Sequence, residues 1–350
     1  MEYIRLGEAD LKGNIKNRVF ITFLARDVSV RLQKDKVTKF ISLNMVDRDL
    51  AVEAKIFGAD DKAIELVQEG KVYNAAVDIK PYDKSPSGYS CIIYNMDFSH
   101  EAPELFVDWA ENLDECQKII QNMLPDVINT YYGQIAYPIL CNNWDKFARW
   151  TAATNQHHTR LGELLVHTSE VISLCSDLAD YFNGIYGDDF INKPLVLCAA
   201  LLHDMAKTRE LNVNTSSGKV EYSVHASLST HIMDILSEVD IQAYKLKLGR
   251  QITEINEIGE EEYTKTDEQL AEELEAIDLL KHCLAAHHGK LEYGSPIVPC
   301  VPEALLISVA DNLSADMYKY NRAFKETEPG EVNSVWTNAG YKSTYKESSK

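Results

Sequence analysis

In the stretch Pro194-Leu-Val-Leu-Cys-Ala-Ala-Leu-Leu-His-Asp-Met-Ala-Lys207, a His-Asp pair directly follows an apolar run. The run from Pro194 to Leu202 is apolar throughout, which is typical of a helix buried in a hydrophobic core. This helix ends by presenting His203 and Asp204 side by side. Burying an imidazole and a carboxylate without partners is costly, whereas a metal ion bound to both removes that cost. The other inward-facing histidines and aspartates of the chain are therefore candidate ligands for the same site.

The composition is that of a globular protein. The chain has 350 residues, of which 45% are hydrophobic, enough for two domains or one large one. The sequence shows no apolar stretch of the roughly 18–20 residues that a membrane span needs, and no signal-peptide pattern at its N-terminus. We therefore expect a cytoplasmic protein without a membrane partner. The seven cysteines are scattered outside any CxxC pair, which argues against a disulfide framework and a thiolate zinc site.

The charge is distributed unevenly along the chain. The net charge of −19 argues against non-specific binding of nucleic acid. Residues 1–100 are neutral overall, however, and the rest of the chain carries the whole excess of acid. Within the neutral part, the segment from Lys16 to Lys39 is rich in lysine and arginine. If a polyanion binds, we expect this segment to contact it first. A solvent-exposed hairpin face explains the same basic residues about equally well.

Residues 15–98 predict a domain made of strands. Short segments rich in β-branched and aromatic residues alternate with turn formers; they cover residues 19–24, 39–45, 51–57, 71–79 and 89–94, with a short helix predicted over 60–68. This is the element order of a small Greek-key barrel of the OB type, a fold that binds single strands through basic grooves and stacking aromatic rings. The candidate nucleic-acid contacts are Arg18, Arg31, Lys34, Lys36, Lys39 and Phe40. For any single aromatic residue, a position in the core is the commoner explanation.

From about Pro103 the hydrophobic period becomes that of helices. Residues 101–155 predict a helical bridge, with helices expected over 105–109, 116–124 and 143–154. Residues 156–325 predict an all-α domain, with a solvated acidic segment at 250–275, and residues 326–350 predict a polar, partly loose C-terminal tail. The predicted fold class is therefore multidomain: a small all-β OB-type barrel in residues 1–100, followed by an all-α domain.

Seven polar residues are predicted on inward faces of these helices, where an aliphatic residue would pack better: His167, His203, Asp204, His231, His287, His288 and Asp311. A single core histidine is usually a structural residue, but that explanation suits a set of seven poorly. Imidazole and carboxylate ligands without thiolate suit Mn, Fe, Co or Zn better than Mg. Seven ligands are too many for one ion with an open position, and they divide naturally between two ions that a carboxylate bridges. We expect two divalent ions, with Mn the first choice.

The order His…His-Asp…His…His-His…Asp resembles that of the HD-domain metal-dependent phosphohydrolases. The resemblance is closest to the bacterial two-domain 3′-to-5′ exoribonucleases of the YhaM type, which pair an N-terminal OB-fold with an HD domain. It rests on residues 157–167, 202–207 and 287–313, of which the last run is the most specific. The N-terminal barrel resembles the family by pattern alone.

The resemblance implies a role for each matching residue. One ion would be held by His167, His203, Asp204 and Asp311, and the other by His231, His287 and His288, with Asp204 as the bridge. Lys207 matches a phosphate-contacting lysine, and His157 and His158 match a histidine pair near the scissile phosphate. The chain departs from the family pattern at Glu163, where a second glycine is usual, and at Ser314, where an acidic residue is usual.

The expected activity is the 3′-to-5′ hydrolysis of single-stranded RNA, with DNA not excluded, to nucleoside 5′-monophosphates by hydroxide that the two ions generate. Asp204, Lys207, His157 and His158 are the expected catalytic residues. A hydrolase of small nucleotides, such as a cyclic dinucleotide or a nucleoside polyphosphate, is a second interpretation. A non-catalytic nucleic-acid-binding protein with a structural metal site is a third. The oligomeric state stays open, and a homo-oligomer is compatible with the sequence.

Overall fold

The computed structural model describes residues 3–15, 17–153, 160–255, 261–337 and 340–347. The chain divides into two compact units, Met1–Trp109 with Val213–Val220 and Ala110–Asn212 with Glu221–Lys350. The predicted catalytic residues His157 and His158 lie outside the described residues, as does Lys16. Within the described ranges, no helix is both long enough and apolar enough to span a membrane.

The first unit contains a closed β-barrel. Its elements are β1 (Ile4–Arg5), β2 (Arg18–Leu32), β3 (Lys39–Asp47), β4 (Leu50–Phe57), α1 (Asp61–Leu66), β5 (Val72–Pro81) and β6 (Tyr89–Phe98). The strands are ordered β1-β2-β3-β4-β6-β5, and a further pairing of β2 with β5 closes the sheet. The five long strands, with a helix between the third and the fourth, are consistent with an OB-type barrel and confirm that part of the prediction.

The barrel interior is filled by alternate residues of each strand, because successive side chains of a strand point to opposite faces. Phe23 and Tyr73 are both fully buried there. The Tyr73 hydroxyl donates a hydrogen bond to the carbonyl oxygen of Leu66 (2.7 Å) and accepts one from the amide of Gln68 (2.8 Å). These two bonds tie the end of α1 to strand β5 and satisfy the polar tip of a core residue.

The second unit is mainly helical. Its helices are α2 (Leu113–Val127), α3 (Tyr131–Phe147), α4 (Glu163–Tyr186), α5 (Lys193–Leu202), α6 (Lys207–Glu210), α7 (His231–Lys245), α8 (Asp267–Ala286) and α9 (Pro302–Lys325). Helices α2 and α3, which fall in the predicted bridge, share one hydrophobic core with α4, α5, α7, α8 and α9. The bridge segment is thus an integral part of the helical core.

Helix α5 lies at the centre of that core, as its apolar sequence predicts. Every residue from Leu195 to Leu202 is buried, and the helix packs against α2, α3, α4, α8 and α9. Its N-terminus is capped by Asn192, whose side-chain oxygen accepts a hydrogen bond from the Leu195 amide (3.2 Å). At the C-terminal end of the helix the chain turns sharply, and His203 and Asp204 lie in this turn, buried in the helical unit.

The expectation that residues 156–325 are all helical is wrong in detail. Among the described residues, that region also contains the hairpin β7 (Leu211–Asn214) with β8 (Lys219–Tyr222) and the hairpin β9 (Thr253–Ile255) with β10 (Glu261–Tyr263). These strands are short and polar, so they carry little periodicity. The first hairpin depends on turn chemistry: the Asn214 side chain accepts hydrogen bonds from the amides of Ser216 and Ser217 (3.0 and 3.1 Å), which stabilise the turn.

Three further expectations need correction. The tail predicted to be partly loose forms the hairpin β11 (Val332–Thr337) with β12 (Gly340–Tyr345), and it packs on α9 with Val335 buried. The helix predicted over 143–154 ends at Phe147, and the helix predicted over 105–109 is only a single 3-10 turn at Pro103–Phe106. Helical spacing of apolar residues continued in both places, but tertiary packing, and not periodicity, sets the ends of elements.

The turn between α2 and α3 makes a specific demand on Gly133. A Cβ atom at this position would lie 2.0 Å from the Val127 carbonyl oxygen, and that oxygen is held in place by the Thr130 hydroxyl (2.7 Å). We predict that Gly133→Ala lowers the free energy of unfolding of the helical unit by about 1–3 kcal/mol or more through overpacking.

The matched control is Gly184→Ala on the exposed part of α4, where a Cβ atom meets nothing within 4 Å. Because alanine favours helix over glycine, this change should stabilise the unit by about 0.5–1 kcal/mol. Denaturant unfolding followed by circular dichroism at 222 nm measures both variants. Equal stability of the two would contradict the close packing of Gly133.

Candidate metal centre

The seven predicted ligand residues converge in the interior of the helical unit. His167 lies on α4, His203 and Asp204 directly follow α5, His231 begins α7, His287 and His288 directly follow α8, and Asp311 lies on α9. The side chains of His203 and His287 are fully buried, and those of His167, Asp204 and His231 are nearly so. Residues far apart in the sequence are therefore brought to one point by the packing of the helices.

The imidazoles and carboxylates fall into two groups. His167, His203 and Asp311 form one, and His231, His287 and His288 form the other; within each group, the potential ligand atoms lie within 4.8 Å of one another. Each group has the size and the donor types of a metal site built from nitrogen and oxygen ligands.

Asp204 lies between the two groups. Its Oδ2 atom is 3.5 Å from Nε2 of His167 and 3.5 Å from Nε2 of His203. Its Oδ1 atom is 3.5 Å from Nε2 of His231 and 3.9 Å from Nε2 of His287. Each carboxylate oxygen thus faces a different group, which is the arrangement that a carboxylate shared by two ions requires.

Local backbone contacts set the tautomers of His203 and His287. Nδ1 of His203 lies 2.7 Å from the Ala200 carbonyl oxygen, and Nδ1 of His287 lies 2.7 Å from the Leu284 carbonyl oxygen. A carbonyl oxygen only accepts hydrogen bonds, so both Nδ1 atoms carry the proton and both Nε2 atoms carry a lone pair in the neutral ring. In each case the carbonyl belongs to the residue three positions earlier, at the end of a helix.

Side chains set the tautomers of His167 and His231. Nδ1 of His167 donates to Ser314 Oγ (2.9 Å), whose hydroxyl in turn donates to Glu170 Oε2 (2.6 Å). Nδ1 of His231 lies 3.0 Å from Glu210 Oε2. Such partners orient the rings of metal-binding histidines and raise their basicity.

Ser314, Glu170 and Glu210 support the candidate ligands through hydrogen bonds, and sequence reasoning did not identify them in this role. Ser314 appeared only as a departure from the family pattern, and the structure shows that its hydroxyl links His167 to a carboxylate on α4. Glu170 and Ser314 are 144 residues apart, so no local pattern connects them. The one available signal was that the usual acidic residue at position 314 is missing.

The acceptor atoms that converge in the centre test whether a cation fits. The Nε2 atoms of His167 and His203, both bearing lone pairs, are only 3.2 Å apart. Asp204 Oδ1, His231 Nε2, His287 Nε2 and His288 Nδ1 are buried without a hydrogen-bond partner. Buried acceptors left without a donor cost free energy, and divalent cations would satisfy them. The residues therefore fit the metal centre that their sequence pattern predicts.

The electrostatics of the centre also favour cations. Burial opposes ionisation of Asp204, but the ammonium group of Lys207, with Nζ 2.7 Å from Oδ2, outweighs it and holds the pKa of Asp204 well below its usual value. Burial lowers the pKa of His203, and burial together with the neighbouring imidazole of His288 lowers the pKa of His287. The carboxylate is thus ionised and these imidazoles are neutral, as metal binding requires.

A cavity of about 510 Å³ opens onto the two groups and is lined by Asp204, Lys207, His231, His288 and Asp311, with Ala152, Ala153, Glu210, Leu211, Tyr222, Tyr293, Asn312, Ala315 and Thr337. Its volume is in the range of pockets that hold small molecules and cofactors. The cavity brings a lysine, two tyrosine rings and the candidate metal ligands to one space.

The candidate nucleic-acid contacts on the barrel separate into two places. Arg31 pairs with Phe40 across strands β2 and β3, and Phe40 pairs with Phe57 across β3 and β4. The rings of Phe40 and Phe57 stack with centroids 5.9 Å apart, and Phe57 is half exposed. This row of three residues, which we call the Phe40 row, lies on the outer face of the sheet.

Lys34 and Lys36 lie exposed in the turn between β2 and β3, and Lys39 begins β3, so these three lysines are near the Phe40 row in the same hairpin. Arg18 lies at the opposite end of β2. It forms two hydrogen bonds with Asp78 (3.0 and 3.3 Å), and its guanidinium covers the Tyr94 ring at 3.9 Å. The structure therefore groups the other five candidates and leaves Arg18 apart from them.

Comparison with known proteins identifies an HD domain in this chain. Residues 164–316 match the protein-family model described as HD domain, so the helical unit contains an HD domain. The chain is also similar to proteins named 3′-5′ exoribonuclease YhaM. The protein from Bacillus velezensis is 24% identical over 301 residues, which cover 83% of each chain. The protein from Bacillus pumilus is 25% identical over 321 residues, 88% of this chain and 90% of the relative. The resemblance seen in the sequence is thereby confirmed.

Among solved structures, a replication protein A heterotrimer bound to ssDNA overlaps 32% of this chain and 29% of that chain, at 19% identity and a TM-score of 0.24. An overlap this small carries no argument about function.

The two groups of ligands predict that metal content can be lowered stepwise. We predict that His231→Ala reduces the metal content of the purified protein from about two ions per chain to about one, because it removes a ligand from one group only. Elemental analysis after desalting measures the ratio, and circular dichroism verifies the fold.

The matched control is His225→Ala. His225 lies near His231 in the sequence but outside both groups, where it forms an ion pair with Asp234 at 2.6 Å. It should leave the metal content unchanged. If His231→Ala also retained the full metal content, the assignment of the second group would be wrong.

Proposed function

We propose that this protein is a metal-dependent 3′-to-5′ exoribonuclease that hydrolyses single-stranded RNA to nucleoside 5′-monophosphates. The observation that carries the proposal is the carboxylate of Asp204 between two groups of candidate metal ligands in an HD domain. In the group formed by His231, His287 and His288, each ring has a buried nitrogen atom without a hydrogen-bond partner. The presence of a closed barrel in the same chain and the similarity to proteins named exoribonuclease support RNA as the substrate.

The donor set indicates which residues would hold the ions. His167, His203, Asp204 and Asp311 would hold one ion, and His231, His287 and His288, together with Asp204, would hold the other. Imidazole and carboxylate ligands suit Mn, and they also accept Fe, Co or Zn. When bound, two such ions lower the pKa of water and stabilise the attacking and leaving oxygens of an in-line displacement at phosphorus.

Lys207 is the cation of this chain best placed to meet a phosphate. It lines the cavity, and its ammonium group is held by Asp204 at 2.7 Å, three residues earlier in the chain. In this position it would neutralise charge that builds on the non-bridging oxygens. His157 and His158 lie outside the described residues, and they remain proposed phosphate contacts on the strength of the resemblance.

The partners of the histidines keep the site ready to bind cations. Glu210 and Ser314 each accept the Nδ1 proton of a ligand histidine, so Nε2 of His231 and of His167 presents its lone pair to the centre. Ala152, Leu211 and Ala315 give the cavity an apolar wall. Such a wall limits the water around the reacting phosphate and strengthens the electrostatic interactions there.

The barrel would bind the RNA strand upstream of the cleaved bond. The Phe40 row offers stacked, partly exposed rings beside an arginine, and Lys34, Lys36 and Lys39 lie in the same hairpin. Aromatic rings beside basic side chains are the elements by which OB-type barrels hold single strands without reading their sequence.

A hydrolase of small nucleotides is the second candidate function. The cavity of about 510 Å³ with two tyrosine rings is large enough for a small nucleotide by itself. The acidity of the residues after 100 would also disfavour a long polyanion. This candidate differs from the first in one respect that an experiment can address, because it gives the Phe40 row no part in turnover.

We predict that Asp204→Asn lowers Mn-dependent degradation of single-stranded RNA by at least about 100-fold, because one change removes a charged ligand from both ions. The variant keeps the size of the side chain, and circular dichroism checks the fold. Asp240→Asn, at an exposed ion pair with Lys281, is the control and should retain activity. Undiminished degradation by Asp204→Asn would refute the proposed mechanism.

We predict that the double variant Phe40→Ala and Phe57→Ala weakens single-stranded RNA binding by about 10-fold or more, since each stacked base contributes roughly 1–3 kcal/mol. Hydrolysis of bis(p-nitrophenyl) phosphate, which needs no strand binding, should be unchanged. Tyr244→Ala, an exposed ring beneath Arg250, serves as control. RNA turnover that is insensitive to the double variant would favour the small-nucleotide hydrolase.

A further inference from the structure

A second cavity adjoins the candidate metal centre. It has a volume of about 440 Å³ and shares three lining residues, His288, Tyr293 and Asn312, with the cavity above the metal ligands. It lies between α9 and the segment from Gly289 to Pro299, and we call it the α9 groove. Because the candidate ligand His288 lines both spaces, the groove lies beside the place where a phosphate would meet the metal ligands.

Helix α9 supplies one wall of the groove. Leu305, Ser308, Asn312 and Asp316 line it, and their spacing of three or four residues places them on one face of the helix. The candidate ligand Asp311 immediately precedes Asn312. Asp316 lies five residues beyond Asp311, which is a rise of about 7.5 Å along the helix. The groove thus runs from beside the candidate metal ligands to the carboxylate of Asp316, roughly one and a half helical turns further along α9.

The groove is built from well-fixed parts. Gly289 has a φ of +77°, and a Cβ atom there would lie 2.2 Å from Ser308 Oγ, so the backbone of the loop is packed tightly against α9. The Asp316 carboxylate is held by the buried ammonium of Lys319, with Nζ 3.1 Å from Oδ1. Asn312 donates to the Ser308 carbonyl (2.7 Å). These contacts hold the polar groups of the groove in place before any substrate arrives.

We propose that the α9 groove holds the 3′-terminal nucleoside of the RNA, with Asp316 accepting hydrogen bonds from the 2′ and 3′ hydroxyls of its ribose and Tyr293 contacting the base. This inference rests on the exoribonuclease function proposed above. It adds a residue that selects the sugar and the chain end, a role separate from that of the metal ligands.

The chemistry of a carboxylate decides which nucleoside fits. An ionised carboxylate accepts hydrogen bonds from hydroxyl groups, whereas an ionised phosphate diester has only acceptor oxygens and can donate none to it. An internal nucleotide would place its next phosphate at Asp316, whereas the terminal nucleoside of RNA offers two hydroxyls there. The 2′ hydroxyl is also the group by which proteins distinguish RNA from DNA. A site built to bond a hydroxyl rejects an analogue that lacks it, so the groove would prefer an RNA terminus with a 3′ hydroxyl.

The test compares 5′-labelled RNA oligomers that differ only in the terminal residue: ribose with both hydroxyls, 2′-deoxyribose, or ribose with a 3′-phosphate. For the full-length wild-type protein, each change should lower kcat/KM by at least about 10-fold, the size expected for a hydrogen bond to a charged group. Asp316→Asn should lower kcat/KM for the first oligomer by a similar factor and bring the three oligomers to within about 3-fold of one another.

Two controls separate the groove from the chemistry. Hydrolysis of bis(p-nitrophenyl) phosphate, which has no ribose, should be unchanged in Asp316→Asn, and Asp189→Asn, at an exposed position after α4, should behave as wild type. Leu305→Trp is a second variant in case Asp316→Asn does not fold. Leu305 is 57% exposed and lines the groove. The indole ring of a tryptophan at this position should therefore block RNA turnover and leave hydrolysis of bis(p-nitrophenyl) phosphate unchanged.

The outcomes distinguish this inference from the function on which it rests. If the wild-type protein degrades RNA but Asp316→Asn keeps the wild-type ratios among the three oligomers, the groove assignment is overturned and the exoribonuclease function stands. Unaltered RNA kinetics in Leu305→Trp would overturn the assignment in the same way. If the wild-type protein hydrolyses bis(p-nitrophenyl) phosphate but not RNA, the exoribonuclease function fails, and the groove assignment fails with it.

Discussion

The buried carboxylate of Asp204 is the constraint on which the helical unit depends. A charged group with 2% exposure is tolerated only if other groups compensate its charge. Lys207 does so from the same turn of chain, and histidines from α4, α7 and the end of α8 approach it from other sides. The helices that pack around α5 thus place their histidines around the Asp204 carboxylate. The Nε2 lone pairs of these histidines point toward that carboxylate.

The environment of the histidines is as specific as the ligands themselves. Two of the rings take their orientation from carbonyls one helical turn earlier, so the end of α5 and the end of α8 orient their own histidines. The other two depend on distant side chains. At His167 the hydroxyl of Ser314 lies between the ring and the carboxylate of Glu170. The carboxylate therefore acts on the ring through one intervening hydroxyl group.

The two units would bind RNA through different interactions. The neutral barrel exposes rings and lysines on one hairpin, which suits sequence-tolerant stacking. The helical unit is acidic, so attraction for a polyanion must be local, at Lys207 and at the cations that the centre would bind. The α9 groove adds a third element, because a carboxylate beyond the centre suits the one end of an RNA chain that has no further phosphate. These features would favour a single strand at the barrel and the 3′ terminus of RNA at the ligands.

Sequence alone determined the features that depend on local pattern. The apolar run of α5 specified a buried helix, alternating β-branched and aromatic segments specified the barrel, and polar residues at inward positions specified all seven candidate ligands. It failed where pattern is weak: the hairpins at Leu211–Tyr222 and Val332–Tyr345 are short, polar or dependent on turns, and the end of α3 is set by packing.

Tertiary structure alone decided which residues meet. It engaged Arg18 with Asp78 and placed Phe40 on Phe57, although the sequence predicted both Arg18 and Phe40 as nucleic-acid contacts. It turned each oxygen of Asp204 toward a different group of histidines and brought Ser314 and Glu170 together across 144 residues. It also opened a groove along α9 that no motif marks. The reason is physical: periodicity reports which face of an element is buried, but distances between elements exist only once the helices have packed.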